Sequence, residues 1–299
     1  MEKTTEFTFN DPTKRLDLPK WKLELEARIF TEAISQTFPD LLHVPHCVTP
    51  DAVIKSNYVP DESVIHFTVP NSRPLRSQRL IFYGQKWQQS EEEHLRAFQN
   101  FLREKQLSLP EWWPETESLR VLHAANWDYA KTFAEINTII GWRQEYFGSL
   151  HAGVIEEKHA VLVRSGFFSC HGRDKFHRPL MILRPMVLVR NGFTNTTDLV
   201  AAACFAHFYI VNYMHRSGQI ENNILIFDLE NSSPFNLPVR TFLTIEDTMK
   251  AQFKCVTARI FALNCSRSLL MGWSALKPLI DPLVVTKVSL NGPNTCREL

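Results

Sequence analysis

The chain has 299 residues, with 33 basic against 32 acidic side chains and only ten glycines, about half the usual glycine share of roughly 7%. The charge balance excludes the basic footprint of a nucleic-acid-binding surface, so no nucleic-acid partner is expected. No two glycines stand one residue apart, and Gly148 and Gly153, which have Walker spacing, are followed by Val154 where a lysine is required; the dinucleotide fingerprint, the P-loop, the kinase glycine loop and the G-x-S-x-G elbow are therefore absent.

In chain order, Met1 to Lys20 alternates charges without an apolar core, so no signal peptide is expected. Trp21 to Phe38 reads as an amphipathic helix, with Trp21, Leu25, Ile29 and Phe30 on one side. Pro39, Pro45, Pro50, Pro60, Pro70 and Pro74 then break any long helix, and Val64 to Val69 has the composition of a short strand. Residues 1–86 are assigned to an irregular N-terminal extension.

Residues 87–148 change to helical spacing. Glu91, Glu92 and Glu93 suit the positive end of a helix whose apolar face is Leu95, Phe98, Phe101 and Leu102. Leu119, Val121 and Leu122 form a second helix, and Asn126 is expected to cap a third over Trp127 to about Tyr146. From 149 to 299, strands are expected at Ala160–Phe168, Leu180–Leu183, Ile224–Leu229, Thr257–Leu263 and Leu283–Val288. Several are apolar at consecutive positions, as in a sheet covered on both faces. Leu199–Met214, Val239–Phe253 and Arg267–Leu279 have helical spacing between them. Leu199 to His215 is the longest uncharged run, but it is short for a membrane span and carries His207, Asn212 and His215.

Several fragments have catalytic or metal-binding composition, and none completes a site. His43, His46 and Cys47 lack a fourth ligand at a suitable spacing, so no metal site is expected. His171-Gly172-Arg173-Asp174 carries a glycine that breaks a kinase-type loop, with neither D-F-G nor A-P-E after it. Cys170 and His171 would point to opposite faces of a strand and cannot form a nucleophile pair there. The six cysteines form no C-x-x-C pair and read as reduced, buried thiols of a cytosolic protein. No catalytic residue and no cofactor is expected.

The segments at 119–133, 142–148, 172–183, 224–230 and 258–288, in this order, resemble the CRAL-TRIO lipid-binding family of phosphatidylinositol and phosphatidylcholine transfer proteins. LRVLHAANWDYAKTF (119–133) and WRQEYFG (142–148) resemble its N-terminal helices, and GRDKFHRPLMIL (172–183) resembles its D-x-x-G-R-P-V strand start, with Asp174, Arg178 and Pro179 in register. ILIFDLE (224–230) and the long segment from Ala258 to Val288 resemble its later strands and lid. The resemblance implies an α/β fold: an N-terminal helical subdomain, then a mixed β-sheet covered by helices that enclose a hydrophobic lipid pocket. Where the family often has Tyr-Pro-Glu-Arg, this chain has Phe253, Lys254, Cys255 and Val256. The family's headgroup lysine matches Lys287, whereas Cys255 replaces the acid. The choline-binding positions fall near Asn223, Leu225 and Met181, and the family's usual tail is missing or truncated at Leu299.

These matches define the expected site. Lys287, Thr286 and Asn223 would meet a lipid headgroup. Leu269, Leu270, Trp273, Leu276 and Ile280 would form the apolar face of a gate helix, where tryptophan suits a bilayer interface. Burying a two-chain lipid takes on the order of 20 kcal/mol of apolar transfer, at about 0.8 kcal/mol per methylene, and 21 phenylalanines supply apolar material. Residues 158–190 carry seven basic side chains and one acid, Asp174, a composition attracted to anionic lipid. The implied function is binding of a phospholipid, such as a phosphoinositide, or another small hydrophobic ligand, with exchange at membrane surfaces by a cytoplasmic, peripherally associated protein. The alternative is a non-exchanging interaction or regulatory module that keeps the fold. The sequence leaves the oligomeric state open.

Overall fold

The computed structural model describes residues 58–68, 77–150, 161–162, 165–233, 235–279 and 282–293. The expected helix at Trp21–Phe38, the His43–His46–Cys47 group, Pro39, Pro45, Pro50, Pro70, Pro74 and Ile280 lie outside the described residues, as does the side chain of Leu276.

A helical turn, α1 (Glu62–Ile65), leads into β1 (His66–Thr68), which pairs antiparallel with β2 (Ser77–Arg79). The Asp61 carboxylate caps α1 by accepting from the Ser63 and Val64 amides. Three helices follow: α2 (Gln89–Glu104), α3 (Glu115–Ala124) and α4 (Tyr129–Leu150). A capping box closes the start of α2, with the Gln88 N–H donating to Glu91 Oε2 at 2.7 Å. Leu95 and Phe98 of α2 bury against Val121, Leu122, Ile136, Ile139 and Ile140. Full burial of each such side chain contributes about 1.5–3 kcal/mol. Asn126 does not cap α4. It has positive φ, and Asp128 caps the helix instead, accepting from the Lys131 amide at 2.9 Å.

The second half is a five-stranded mixed sheet: β3 (Phe168–Arg173), β4 (Pro179–Leu183), β5 (Asn223–Asp228), β6 (Thr257–Leu263) and β7 (Val288–Leu290), in that spatial order. The β3–β4 pair is antiparallel and the remaining pairs are parallel. Helices α5 (Pro185–Arg190), α6 (Thr196–Tyr209), α7 (Val239–Gln252), α8 (Arg267–Leu276) and α9 (Pro282–Lys287) supply the crossovers. A π turn, Ile210–Met214, ends α6.

Successive side chains of a strand alternate between faces, and both faces are covered. Met181, Leu183, Leu225 and Phe227 pack under α6 and α7 against Leu199, Ala202, Ala203, Ala206, Phe242 and Ile245. This is the front face. Ile224, Ile226, Phe261, Leu180 and Ile182 pack on the back face against Phe67 and Leu80 from the N-terminal segment. Parallel crossovers are right-handed, so the steady march of the strand order brings α8 and α9 to the front as well.

Two strand expectations change. Of the described residues of Ala160–Phe168, only Phe168 is in a strand: residues 161–162 are helical, Gly166 turns the chain at φ +80°, and β3 starts at Phe168. Leu283–Val288 folds mainly as α9, because Pro282 at its first position favours a helix start, and the strand is confined to Val288–Leu290.

Candidate functional site

The front face is tightly filled under α6 and α7 and looser beyond them. Ile260 pairs with Leu225 and with Val288, and Ala262 pairs with Phe227 and with Leu290, so Ile260, Val288 and Leu290 also face front. All three are half-buried, whereas Met181 and Leu199 are 1% exposed. The first helix of the β6–β7 crossover is α8. Its N-cap is Ser266, whose hydroxyl accepts from the Leu269 amide, and the expected gate residues Leu269, Leu270 and Trp273 are half-buried on it. An apolar strip of sheet and the apolar side chains of the β6–β7 crossover helix are thus both left half-buried, unlike the α6–α7 core.

The expected headgroup residues do not converge. Lys287 is buried at the N-terminal edge of β6 and β7, on the hairpin side. Its ammonium donates to Gln78 Oε1 of β2 and to the Thr257 carbonyl at 2.9 Å, and lies 5.8 Å from the Phe67 ring centroid. Asn223 points to the front, where its amide donates to the Met181 sulfur at 2.7 Å. The Thr286 hydroxyl donates to the Leu283 carbonyl of its own helix at 2.8 Å. Lys287 and Asn223 therefore lie on opposite faces of the sheet. Cys255, where the family acid would stand, is a buried thiol contacted by the Gln78 amide at 3.1 Å. Burial pushes that thiol up, against the opposing pull of Arg120 and Lys287.

Asp174, Arg178 and Pro179 form the β3–β4 turn. One Asp174 oxygen accepts from the Phe176 and Arg178 amides at 3.0 and 2.8 Å, and the other takes the Arg178 guanidinium at 2.6–2.7 Å. This brace holds His177 at φ +61°. Much of the basic charge of the 158–190 segment is spent internally. Arg173 donates to the His177 and Met214 carbonyls, and Arg184 lies 3.6 Å from Asp228.

Two buried carboxylates tie the parts together: Glu221, which no sequence pattern singled out, and Glu91, expected only as a helix-start residue. Glu221 accepts from the Phe82 and Tyr83 amides at 2.9 Å each, from the Gly218 amide at 2.8 Å and from Arg120 Nη2 at 2.6 Å. It joins the N-terminal segment, α3 and the loop before β5. Glu91 takes the Arg79 guanidinium through both oxygens at 2.5 and 2.8 Å and His123 Nε2 at 2.8 Å. Burial opposes its ionisation, but the bonds from His123, His66, Arg79 and the Gln88 N–H outweigh burial and hold the carboxyl well below its ordinary range. Burial also pushes two histidines down: His207 to about 4, and His215 well below its usual value with Arg120, Arg173 and His207 adding to the effect.

Among the described residues, no group of three His, Cys, Asp or Glu side chains is placed to hold a metal ion. Among the same residues, no helix is long and apolar enough to cross a membrane.

Comparison with known proteins agrees with this architecture. No curated protein matches the chain. The crystal structure of Sfh5 superimposes with a TM-score of 0.51 at 11% identity, over 69% of this chain and 82% of that one; at that identity the likeness is one of fold. Residues 163–299 match the model of the CRAL/TRIO domain, which takes in the whole five-stranded sheet and its crossovers. Residues 163–299 thus form a CRAL/TRIO domain, the domain of a lipid-binding and lipid-transfer family.

Proposed function

We propose that this protein is a non-catalytic carrier that holds one phospholipid or comparable hydrophobic ligand between the front of β6–β7 and α8, and exchanges it at membrane surfaces. The observation that carries the reading is that Ile260, Val288 and Leu290 on the sheet and Leu269, Leu270 and Trp273 on the β6–β7 crossover all stay half-buried. An apolar strip left incompletely covered beside a tightly packed core is a place for an apolar ligand. The α8 helix acts as the gate, and the protein works as a cytoplasmic, peripheral visitor to membranes. The test is lipid exchange between vesicles by Leu270→Ala/Trp273→Ala, with co-purified lipid identified by native mass spectrometry. The double variant is expected to transfer at least tenfold more slowly, since each truncation removes roughly 2 kcal/mol of apolar contact. An unchanged transfer rate would refute the gate.

One observation favours a second reading, a module that keeps the fold without exchanging ligand. The lysine in register with the family's inositol-phosphate contact is engaged by Gln78 and Thr257. A phosphoinositide headgroup accordingly has less support than a phospholipid of another class. Protein that purifies with no lipid and a stable protein partner would establish this reading.

A further inference from the structure

Because β4, β5 and β6 run parallel, their C-terminal ends share one edge of the sheet. Four of the exposed large apolar side chains follow those ends. Val189 is the fifth residue of α5, Leu243 the fifth of α7 and Met271 the fifth of α8, so each sits about 6 Å along a helix that starts at this edge. They are 41%, 54% and 76% exposed. Phe235 lies between β5 and α7 and is 97% exposed. Its loop is not loose: Asn236 Oδ1 accepts from the Ser233 amide at 2.7 Å, Asn236 Nδ2 donates to the Asn231 carbonyl at 3.1 Å, and the Leu237 amide reaches the Ser233 carbonyl at 3.2 Å. The turn is braced, and it presents a bare phenyl ring to solvent.

Each helix of this rim also bears an exposed arginine: Arg190 on α5, Arg240 on α7 and Arg267 on α8. The acids near the edge do not cancel them. Asp228 is bonded to Asn264 at 2.9 Å and lies beside Arg184. Asp198 lies half-buried in the first turn of α6; Glu230 is exposed at the edge, and Glu246 and Asp247 are exposed about two turns into α7, farther from it.

We propose that this rim is a docking surface for an anionic lipid membrane, with Phe235 as the leading insertion point and Arg190, Arg240 and Arg267 as the contacts to lipid phosphate and serine headgroups. Isolated apolar tips on separate elements, each helix bearing an arginine, match a soft interface in which rings and aliphatic tips sink to headgroup depth while cations stay at the surface. Three of the four apolar contacts lie outside the gate helix, so docking is built into the rigid frame and the gate is left free to move. The inference deepens the carrier reading and rests on it for the reason the protein visits a membrane.

The test is sedimentation of the full chain with phosphatidylcholine vesicles, with and without phosphatidylserine. Phe235→Ala is expected to weaken binding to both vesicle types by about tenfold or more. Arg190→Gln/Arg240→Gln/Arg267→Gln is expected to weaken binding to serine-containing vesicles alone, by about fivefold per residue. Circular dichroism confirms folding of each variant, and native mass spectrometry reads bound lipid independently. Wild-type vesicle binding by both variants overturns the docking surface, including the case in which the rim instead meets a protein. Loss of vesicle binding supports it even if the protein purifies without lipid, in which case the carrier reading fails and the docking surface stands.

Discussion

Replacing Glu221 by glutamine tests whether one carboxylate joins the N-terminal segment to the sheet domain. Each of its oxygens accepts from two donors: Phe82 N and Arg120 Nη2 on one, Tyr83 N and Gly218 N on the other. Glutamine keeps one oxygen and turns the other into an NH2 group, which meets two donors head-on in either orientation. Arg120, buried in the structure, keeps only Glu117 at 3.3 Å as a carboxylate partner. Two orphaned donors at about 1–3 kcal/mol each, with removal of a buried ion-pair partner at about 3–5 kcal/mol in comparable sites, set the cost at about 5 kcal/mol or more. For a domain of this size that is a fall in Tm of at least about 10 °C, read by circular dichroism. Hydrogen exchange supplies the local readout: the Phe82 and Tyr83 amides should lose protection while the front-face core keeps it. A variant that melts within about 2 °C of the wild type, or one whose Phe82 and Tyr83 amides stay protected, would refute the reasoning.

The buried histidines make stability depend on pH. The folded state holds His207 neutral to about 4, against an ordinary 6.5, so between those values the unfolded chain binds more protons and stability falls as pH falls. At about 1.4 kcal/mol per pH unit the loss from His207 is roughly 3 kcal/mol, complete near pH 4 and absent above about 6.5. His215 shifts in the same direction. Glu91, whose carboxyl is held low, adds a further loss as pH drops below its ordinary 4.5. Urea titrations at pH 7.5, 5.5 and 4.5 check this; a midpoint unchanged from 7.5 to 4.5 would contradict it. Lys287→Met should cost about 1–3 kcal/mol by leaving the Gln78 and Thr257 oxygens without their donor, while the class of co-purified lipid stays the same. Lipid analysis showing a selective loss of phosphoinositide would overturn that assignment.

The legible parts of the fold were those whose signal is local. Thr257–Leu263 is a strand over the very span that its apolar run implies, and Val239–Gln252 is a helix within one residue of its expected end. Leu283–Val288 misled because Val284, Val285 and Thr286 are β-branched, and a short apolar run does not separate strand from buried helix; the informative residue was Pro282. The face that each expected headgroup residue takes was not legible in the sequence. A register shift between Asn223 and Ile224 against β6, together with the α9 turn, decides which way Asn223 and Lys287 point, and no local pattern encodes that. The Glu221 bonds span 101 and 139 residues of sequence. A glutamate in a loop gives no sign of such partners, although a charged residue between apolar runs, immediately before Asn222, Asn223 and a strand, was a place to look.

The hairpin that covers the back face has a consequence for synthesis. Phe67, Leu80 and the Phe82 and Tyr83 amides leave the ribosome long before Glu221, Phe261 and Lys287 exist to receive them. At about 5–20 residues per second, the 139 residues between Phe82 and Glu221 take roughly 7–28 s to make. For that interval this apolar surface of the nascent chain has no lasting home. The back face closes only when the last strands arrive, which makes the N-terminal segment a client for chaperones during translation and makes the completed sheet the event that releases it.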